Sequence, residues 1–243
     1  QQGVVDNRSG AAGIIAAQIT TGANPDGCTL LSVSASHAIT AVTHAKLPYD
    51  TLKDFAGITM TLSAPLVLVV SPSLGVKSVK ELIALAKAKH GQLNFSSAGI
   101  GGTSHFAAEL FKSMAGIDVV HIPYKGATEA VTEIMTGRVH FVISGLPNSI
   151  TLVKEGKLLA LGVSSVQRLP AIPDIPTISE SGLPGYRWDG WYGLLAPAKT
   201  PRPVIAKLNK EITRILTLPE LQQRWSSLGA EPAPTTPEQF DEA

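Results

Sequence analysis

The 243-residue chain contains a single cysteine, Cys28. One thiol excludes an intramolecular disulfide, a thiolate metal cluster and a paired redox motif. Charge is scarce as well: 16% of residues are charged, and 20 basic against 19 acidic side chains leave a net +1. Without a basic surplus or a polybasic run, the chain has no footprint for nucleic acid or for an anionic membrane surface. Long apolar runs are missing; the longest is the short Leu66 to Val70. A membrane helix needs ~20 such residues, so no membrane insertion is expected. His44, His90, His121 and His140 have neither metal-ligand spacing nor a supporting carboxylate, and neither a metal nor any other cofactor is expected. The chain also opens on Gln1 without a start methionine or a charged-then-apolar leader, which reads as a processed or trimmed product. What is present is a 44% hydrophobic composition, that of a globular, well-buried protein of one large or two small domains.

The most informative stretch runs from Leu93 to Glu109, Leu-Asn-Phe-Ser-Ser-Ala-Gly-Ile-Gly-Gly-Thr-Ser-His-Phe-Ala-Ala-Glu. It reads as a buried strand, a glycine-rich turn and the start of a helix. Gly99, Gly101 and Gly102 open backbone conformations closed to other residues, and Thr103 or Ser104 is placed to cap a helix burying Phe106, Leu110, Phe111 and Met114. Such a turn aims free N–H groups at one point, backed by the positive end of the helix dipole, and so suits a carboxylate or phosphate. No lysine follows the glycines, which excludes a P-loop. Ser104 stands where the dinucleotide fingerprint needs its third glycine, which disfavours a nucleotide. The candidate ligand residues here are Ser97, Ala98, Gly99, Gly101, Gly102, Thr103, Ser104 and His105.

Upstream, residues 3–7 read as the tail of a strand, followed by a small-residue helix through Ile14, Ile15 and Ile19. Asn24-Pro25-Asp26-Gly27 is a turn before a strand from Thr29 to Ser34, with Ser34 and Ser36 at the strand end where open α/β sheets place ligands. Leu66 to Val70, apolar on both faces, reads as a central strand or as a segment crossing between domains. A capping box at Ser78 to Glu81 opens a helix ended by Gly91. After the glycine turn, strands over 119–122, 139–144 and 158–164 alternate with helices over 129–136 and 149–155, the pattern of a parallel sheet covered on both faces. A proline-rich connector over 169–185 carries one short capped helix at Thr177 to Glu180 and leads to a returning strand, Trp191 to Ala196. Helices opened by Pro201 with Pro203, by Pro219 and by Thr236-Pro237 close the chain, and the last of them reads as cut inside an element.

Several stretches, in order, carry a family likeness: Val-Val-Asp-Asn-Arg-Ser-Gly-Ala-Ala-Gly (4–13), Asn-Pro-Asp-Gly-Cys-Thr-Leu-Leu (24–31), Leu-Pro-Tyr-Asp (47–50) with Lys53-Asp54-Phe55, Ala-Pro-Leu-Val-Leu-Val-Val (64–70), the glycine turn with its strand (93–105), His-Ile-Pro-Tyr-Lys-Gly-Ala (121–127) and Trp-Tyr-Gly-Leu-Leu-Ala-Pro (191–197). With these the chain resembles the periplasmic solute receptors of tripartite tricarboxylate transporters, the Bug-type, TctC-like binding proteins. The resemblance implies an α/β fold of the two-lobe, type II-like periplasmic binding protein class. Each lobe would be a mostly parallel sheet flanked by helices, and two crossing strands would join the lobes. One lobe would hold 1–63 with 188–243, the other 64–187. It implies a periplasmic receptor that takes a small organic carboxylate into the cleft, hands it to membrane permease subunits and catalyses nothing.

Two departures from the family pattern qualify the implied site. The family's Pro-Gly-Gly loop after its first strand has no match here, so an opening strand, loop and helix are expected to be missing upstream of Gln1. Relatives often carry Phe-Asp-Asn-Leu-Pro where this chain has Ile143-Ser144-Gly145-Leu146-Pro147. Ser144 in place of an acid favours a ligand whose far end is neutral or negative, because a buried ammonium needs a charged acceptor. Trp191, on the returning strand with Trp188 and Tyr192, either closes over a ligand or packs between lobes. Two other functions fit parts of the pattern. The chain could be the ligand-sensing domain of a transcription regulator, which shares the two-lobe plan, or a small hydrolase using Ser104 and His105. Against the hydrolase, adjacent side chains at a helix start diverge by about 100° and no Gly-x-Ser-x-Gly elbow is present.

Overall fold

The computed structural model describes residues 3–8 and 10–242. The chain divides into two compact units: 1–62 with 192–218 and 232–243, and 63–191 with 219–231. Nine strands and nine α-helices are found among the described residues. In chain order they are α1 (Ile14–Thr21), β1 (Leu31–Ser34), α2 (Ser36–Thr43), β2 (Phe55–Ser63), β3 (Leu66–Val70), α3 (Val79–Ala88), β4 (Asn94–Ser97), α4 (Thr103–Ala115), β5 (Val120–Pro123), α5 (Ala127–Met135), β6 (Phe141–Gly145), α6 (Ile150–Lys154), β7 (Leu159–Val163), β8 (Trp191–Pro197), α7 (Arg202–Leu216), α8 (Pro219–Ser227), β9 (Glu231–Pro232) and α9 (Pro237–Asp241).

The second unit is built on a five-stranded sheet of order β5-β4-β6-β3-β7. Strand β4 runs parallel to β5 and β6, while β3 is antiparallel to both β6 and β7. Four strands therefore point one way and β3 alone runs against them, so the sheet is mixed. Period-two alternation divides its side chains cleanly. Leu66, Leu68, Val70, Phe95, Phe141 and Ile143 pack under α3 and α4, with Leu82, Ala86, Ala107, Ala108 and Phe111. Val67, Val69 and Val142 face the other way, against Val131 and Ile134 of α5 and Ile150 of α6. The wholly buried Leu66–Val70 is thus a central strand. Helix α8 packs with this unit, although the sequence reading gives 188–243 to the first lobe. Gly229 after it leaves no room for a β-carbon against Leu146.

The first unit has a four-stranded sheet, β1-β8-β2-β9, with β1 antiparallel to β8. Ile58, Ala196 and Ile205 form its core, and Gly193 lets the Phe240 ring of α9 lie against β8. Thr59 and Thr235 exchange hydrogen bonds of 3.0 Å, while the Asn209 amide donates to the carbonyls of Ile58 and Thr235 at 2.8 Å.

Three local expectations are corrected. Residues 3–7 form no strand: Val4 and Val5 are 93% and 84% exposed, and no ladder forms there among the described residues to satisfy their backbone groups. Thr177 to Glu180 makes the reciprocal bonds of a capping box, Glu180 N–H to Thr177 Oγ1 at 3.0 Å and Thr177 N–H to Glu180 Oε2 at 2.9 Å. The chain nevertheless turns there rather than winding into a helix, because Val163 and Thr177 pair across a bridge, with the Ile178 N–H donating to the Val163 carbonyl at 2.8 Å. Finally, α4 buries Ser104, Ala107, Ala108, Phe111 and Ala115, leaving Met114 41% exposed. The small side chains set the buried face by letting the helix approach the sheet closely.

Candidate anion-binding site

The topology of the second unit itself points to one location. From β4 the chain crosses through α4 to β5 on one side, and from β6 it crosses through α6 to β7 on the other. The boundary between β4 and β6 is therefore a topological switch point, where open α/β sheets leave a crevice at the carboxyl ends of their strands. The register Ser96 with Val142 brings Ser97, the last residue of β4, and Ser144 with Gly145, the last of β6, to that end of the sheet together.

At that point the glycine turn is held by its own side chains. The Ala98 N–H donates to Ser104 Oγ at 3.0 Å and the Gly99 N–H to Ser97 Oγ at 3.2 Å. The Gly101 N–H donates to His105 Nδ1 at 3.3 Å and the Gly102 N–H to the Gly99 carbonyl at 3.3 Å. The expectation that the whole turn offers free N–H groups is thus corrected: four of them serve to hold its shape. Left without an acceptor among the described residues are the N–H groups of Ile100, Thr103 and Ser104. The last two belong to the first turn of the 13-residue α4, where intrahelical partners do not exist. The cap is corrected too. Gly102, not Thr103 or Ser104, is the N-cap, and it brings no side-chain bond. The Thr103 hydroxyl is buried there and also lacks a partner.

The glycines differ in what they are needed for. Gly99 and Gly101 have φ of 132° and 80°, closed to other residues without strain. Gly102 has φ −81° and is open to any side chain on that count.

Beneath the turn, three rings stack. Phe95 lies 4.8 Å from His121 and His121 lies 4.0 Å from His105, with interplanar angles of 19° and 22°. Ser97 Oγ is 2.6 Å from His121 Nε2 and also donates to the Gly99 carbonyl at 3.1 Å. His105 Nε2 faces Glu109 at 3.8 Å, and Glu109 in turn pairs with Lys112 at 3.8 Å. Burial, then the neighbouring His105 and Lys112, lowers the pKa of His121 to about 4. Burial is also the main cause of the lowering at His105, partly opposed by Glu109. Both imidazoles are neutral at pH 7. His121 is not among the sequence-derived candidates. Its partner Ser97 stands 24 residues away, and only the β4–β5 register, which sets Phe95 beside His121, brings them together.

Of the other expected residues, only Ser144 shares the sheet of the turn. Ser144 is 2% exposed and accepts from the Asn148 amide at 3.4 Å. Trp191 opens β8, half-buried. Ser34 and Ser36 sit in the first unit, their hydroxyls 2.9 Å apart, beside a cavity of about 200 Å³ that is also lined by Gly13, Leu31, Val33 and His37. His37 Nε2 is buried there without a partner, and burial lowers its pKa. The proposed hydrolase pair does not form: Ser104 Oγ serves Ala98, and the serine meeting a histidine is the fully buried Ser97. Among the described residues no cluster of three or more His, Cys, Asp or Glu side chains could hold a metal ion, and no helix is long and apolar enough to cross a membrane.

Known proteins share this plan. The R. palustris protein solved with adipate superposes with a TM-score of 0.94 at 33% identity, over 98% of this chain and 80% of that one. MatC from Rhodopseudomonas palustris, solved with bound malate, gives a TM-score of 0.84 at 31% identity over 91% and 76%. BugT of Bordetella pertussis is 34% identical over 238 residues, 97% of this chain and 73% of its own length. A family model described as the tripartite tricarboxylate transporter family receptor, TctC, matches residues 1–242, and the chain belongs to that family of two-lobed α/β receptors.

Proposed function

We propose that the start of α4, at the switch point of the second unit, is the element that takes the carboxylate. The chain itself is an extracytoplasmic, periplasmic solute-binding receptor for small organic carboxylates, and as a member of this receptor family it is not an enzyme. One observation carries the site assignment. The Thr103 and Ser104 N–H groups and the buried Thr103 hydroxyl are unpartnered at the positive end of a 13-residue helix. Unpaired buried donors are costly, and a carboxylate oxygen would satisfy them with charge-assisted bonds. Ser97, Ala98, Gly99, Gly101, Gly102 and His105 shape the turn, while Ser144 acts through Asn148.

The residues of the turn, 97–105, and of the 144–148 segment include no carboxylate, so an ammonium group would find no charged acceptor among them. That favours a dicarboxylate over an amino acid. Relatives solved with adipate and with malate support the same class. Delivery of the bound acid to the permease subunits of a tripartite transporter completes the reading.

Thermal unfolding and calorimetry with adipate, malate and aspartate test it. At a fixed ligand concentration, a bound ligand raises the unfolding temperature by an amount that grows with the logarithm of its affinity. The expected result is a shift with either dicarboxylate that is weakened by Thr103→Val and larger than the shift with aspartate. A shift with aspartate alone, or dicarboxylate binding indifferent to Thr103→Val, would overturn the assignment.

A further inference from the structure

The glycine turn rests on a histidine that is an acceptor only while it is neutral. The Nδ1 atom of His105 takes the Gly101 N–H at 3.3 Å, at a position whose φ of 80° only glycine holds comfortably. Its ring is pinned at 4.0 Å by His121, which is itself stacked on the fully buried Phe95. His121 in turn meets Ser97, the hydroxyl that holds Gly99. Gly101 is thus held by one imidazole directly, and the hydroxyl that holds Gly99 rests on the other.

We propose that His105 is a proton-operated latch on the anion-binding turn, fixing Gly101 when neutral and releasing it when protonated, so that carboxylate binding is coupled to proton release from this site. Protonation places an N–H at Nδ1, directly against the Gly101 N–H, and turns an attraction into a repulsion between two donors. The charged groups around the ring act on this in opposite directions. On α4, Glu109 at 3.8 Å from Nε2 favours the protonated form, and Lys112, bound to Glu109, disfavours it. From β5, the stacked His121 helps to bury the ring, and the repulsion between two imidazolium rings falls on His121, whose pKa is lowered to about 4. Burial therefore keeps the latch closed at neutral pH, and the latch opens as the pH falls.

This rests on the carboxylate reading of the turn, and two measurements separate the two claims. In the first, the ligand-free protein is titrated by NMR, following the His105 imidazole and the Gly101 amide. The Gly101 resonance is expected to move with the His105 midpoint. A Gly101 amide indifferent to that midpoint overturns the latch, whatever the ligands do.

The second is calorimetry with adipate and malate from pH 7.5 to pH 4.5, on the wild type, His105→Asn and His105→Gln. Asparagine sets an acceptor where Nδ1 lies and does not titrate, so it is expected to keep part of the affinity and to change with pH only as the acid itself ionises. Glutamine places its amide at the other ring nitrogen and is expected to bind about tenfold more weakly at every pH. The wild type is expected to lose at least about threefold more affinity than His105→Asn by pH 4.5. Parallel wild-type and His105→Asn profiles, or wild-type binding that tightens in acid, overturn the latch. If Gly101 follows His105 and neither acid binds at pH 7.5, the carboxylate reading falls and the latch stands.

Discussion

Two turns of this chain share a signature of glycines and small residues ahead of a helix, yet they are held in different ways. In Gly99-Ile100-Gly101-Gly102, positive φ falls only on glycines, and Ser97, Ser104 and His105 each take one N–H of the turn. In Gly10-Ala11-Ala12-Gly13, ahead of α1, four consecutive residues have positive φ, of 123°, 46°, 53° and 95°, and two of them are alanines. Backbone bonds there run from the Gly13 N–H to the Gly10 carbonyl at 3.0 Å and from the Ile14 N–H to the Ala11 carbonyl. In one turn sequence and conformation agree and side chains fix the shape before any ligand arrives. In the other, the conformation is one that its own residues disfavour, a pattern found where surrounding structure imposes it.

The largest expected effect comes from forcing the agreeing turn to resemble the strained one. Gly101→Val puts a β-branched residue at φ 80°, a strain of ~1–3 kcal/mol, and is expected to lower adipate affinity by about tenfold or more. Gly102→Ala, at φ −81° with its β-carbon 3.4 Å from the Gly99 carbonyl, is expected to bind nearly as the wild type does. Equal losses in calorimetry at both positions would show that crowding, not φ, governs the turn.

Acid provides the next break. The folded pKa of His121 is lowered to about 4 from 6.5, by burial first and then by His105 and Lys112. The unfolded chain therefore takes up a proton near pH 6.5 that the folded chain refuses until about pH 4. Stability is expected to fall as pH drops through that window and to level off below it. His105, His37 and His140 are shifted in the same direction. Denaturant unfolding between pH 7.5 and pH 4 checks this, with a flatter profile expected for His121→Phe than for His37→Phe. The reverse order would move the acid sensitivity away from the glycine turn.

The strand-turn-helix around the turn was legible because its signals are local: an apolar run, three glycines, then residues at helical spacing. What escaped was set by distant packing. Helix α2 is missed because Ile39, Thr40, Val42 and Thr43 are β-branched residues of low helix propensity. The buried face of α4 is misjudged because large side chains advertise burial, whereas here Ala107 and Ala108 make the closest approach. His121 could not be read as part of the site, since the contact depends on the pairing of β4 with β5 and leaves no trace in spacing. The free N–H groups were overcounted for the same reason: hydroxyls and an imidazole that satisfy a turn look, in sequence, like additional ligands for it.

Removing one of those satisfying groups is a gentler test of the held turn. Ser104→Ala takes the acceptor from the Ala98 N–H, a loss of ~0.5–1.5 kcal/mol. Adipate affinity is expected to fall about threefold to tenfold in calorimetry, with the Thr103 and Ser104 N–H groups still in place. An unchanged affinity would show that the turn keeps its shape without its side-chain tethers and would weaken the contrast with residues 10–13.

The smallest effect should come from relaxing the strained turn. A left-handed conformation costs an ordinary residue ~1–2 kcal/mol relative to glycine, and glycine returns ~0.5–1 kcal/mol of that through the greater freedom of its unfolded chain. Ala11→Gly and Ala12→Gly are each expected to raise stability by about 0.5–1 kcal/mol in denaturant unfolding. Glycine at positions 99 and 101 already has this advantage, so the reverse changes, Gly99→Ala and Gly101→Ala, are expected to lower stability by a similar amount. The four variants form one experiment with a required symmetry. If relaxing 11 and 12 brings no gain while straining 99 and 101 brings a loss, the left-handed alanines are supported by interactions that offset their strain. The candidates lie beside them, in the cavity that Ala12 and Gly13 line together with Ser34, Ser36 and His37.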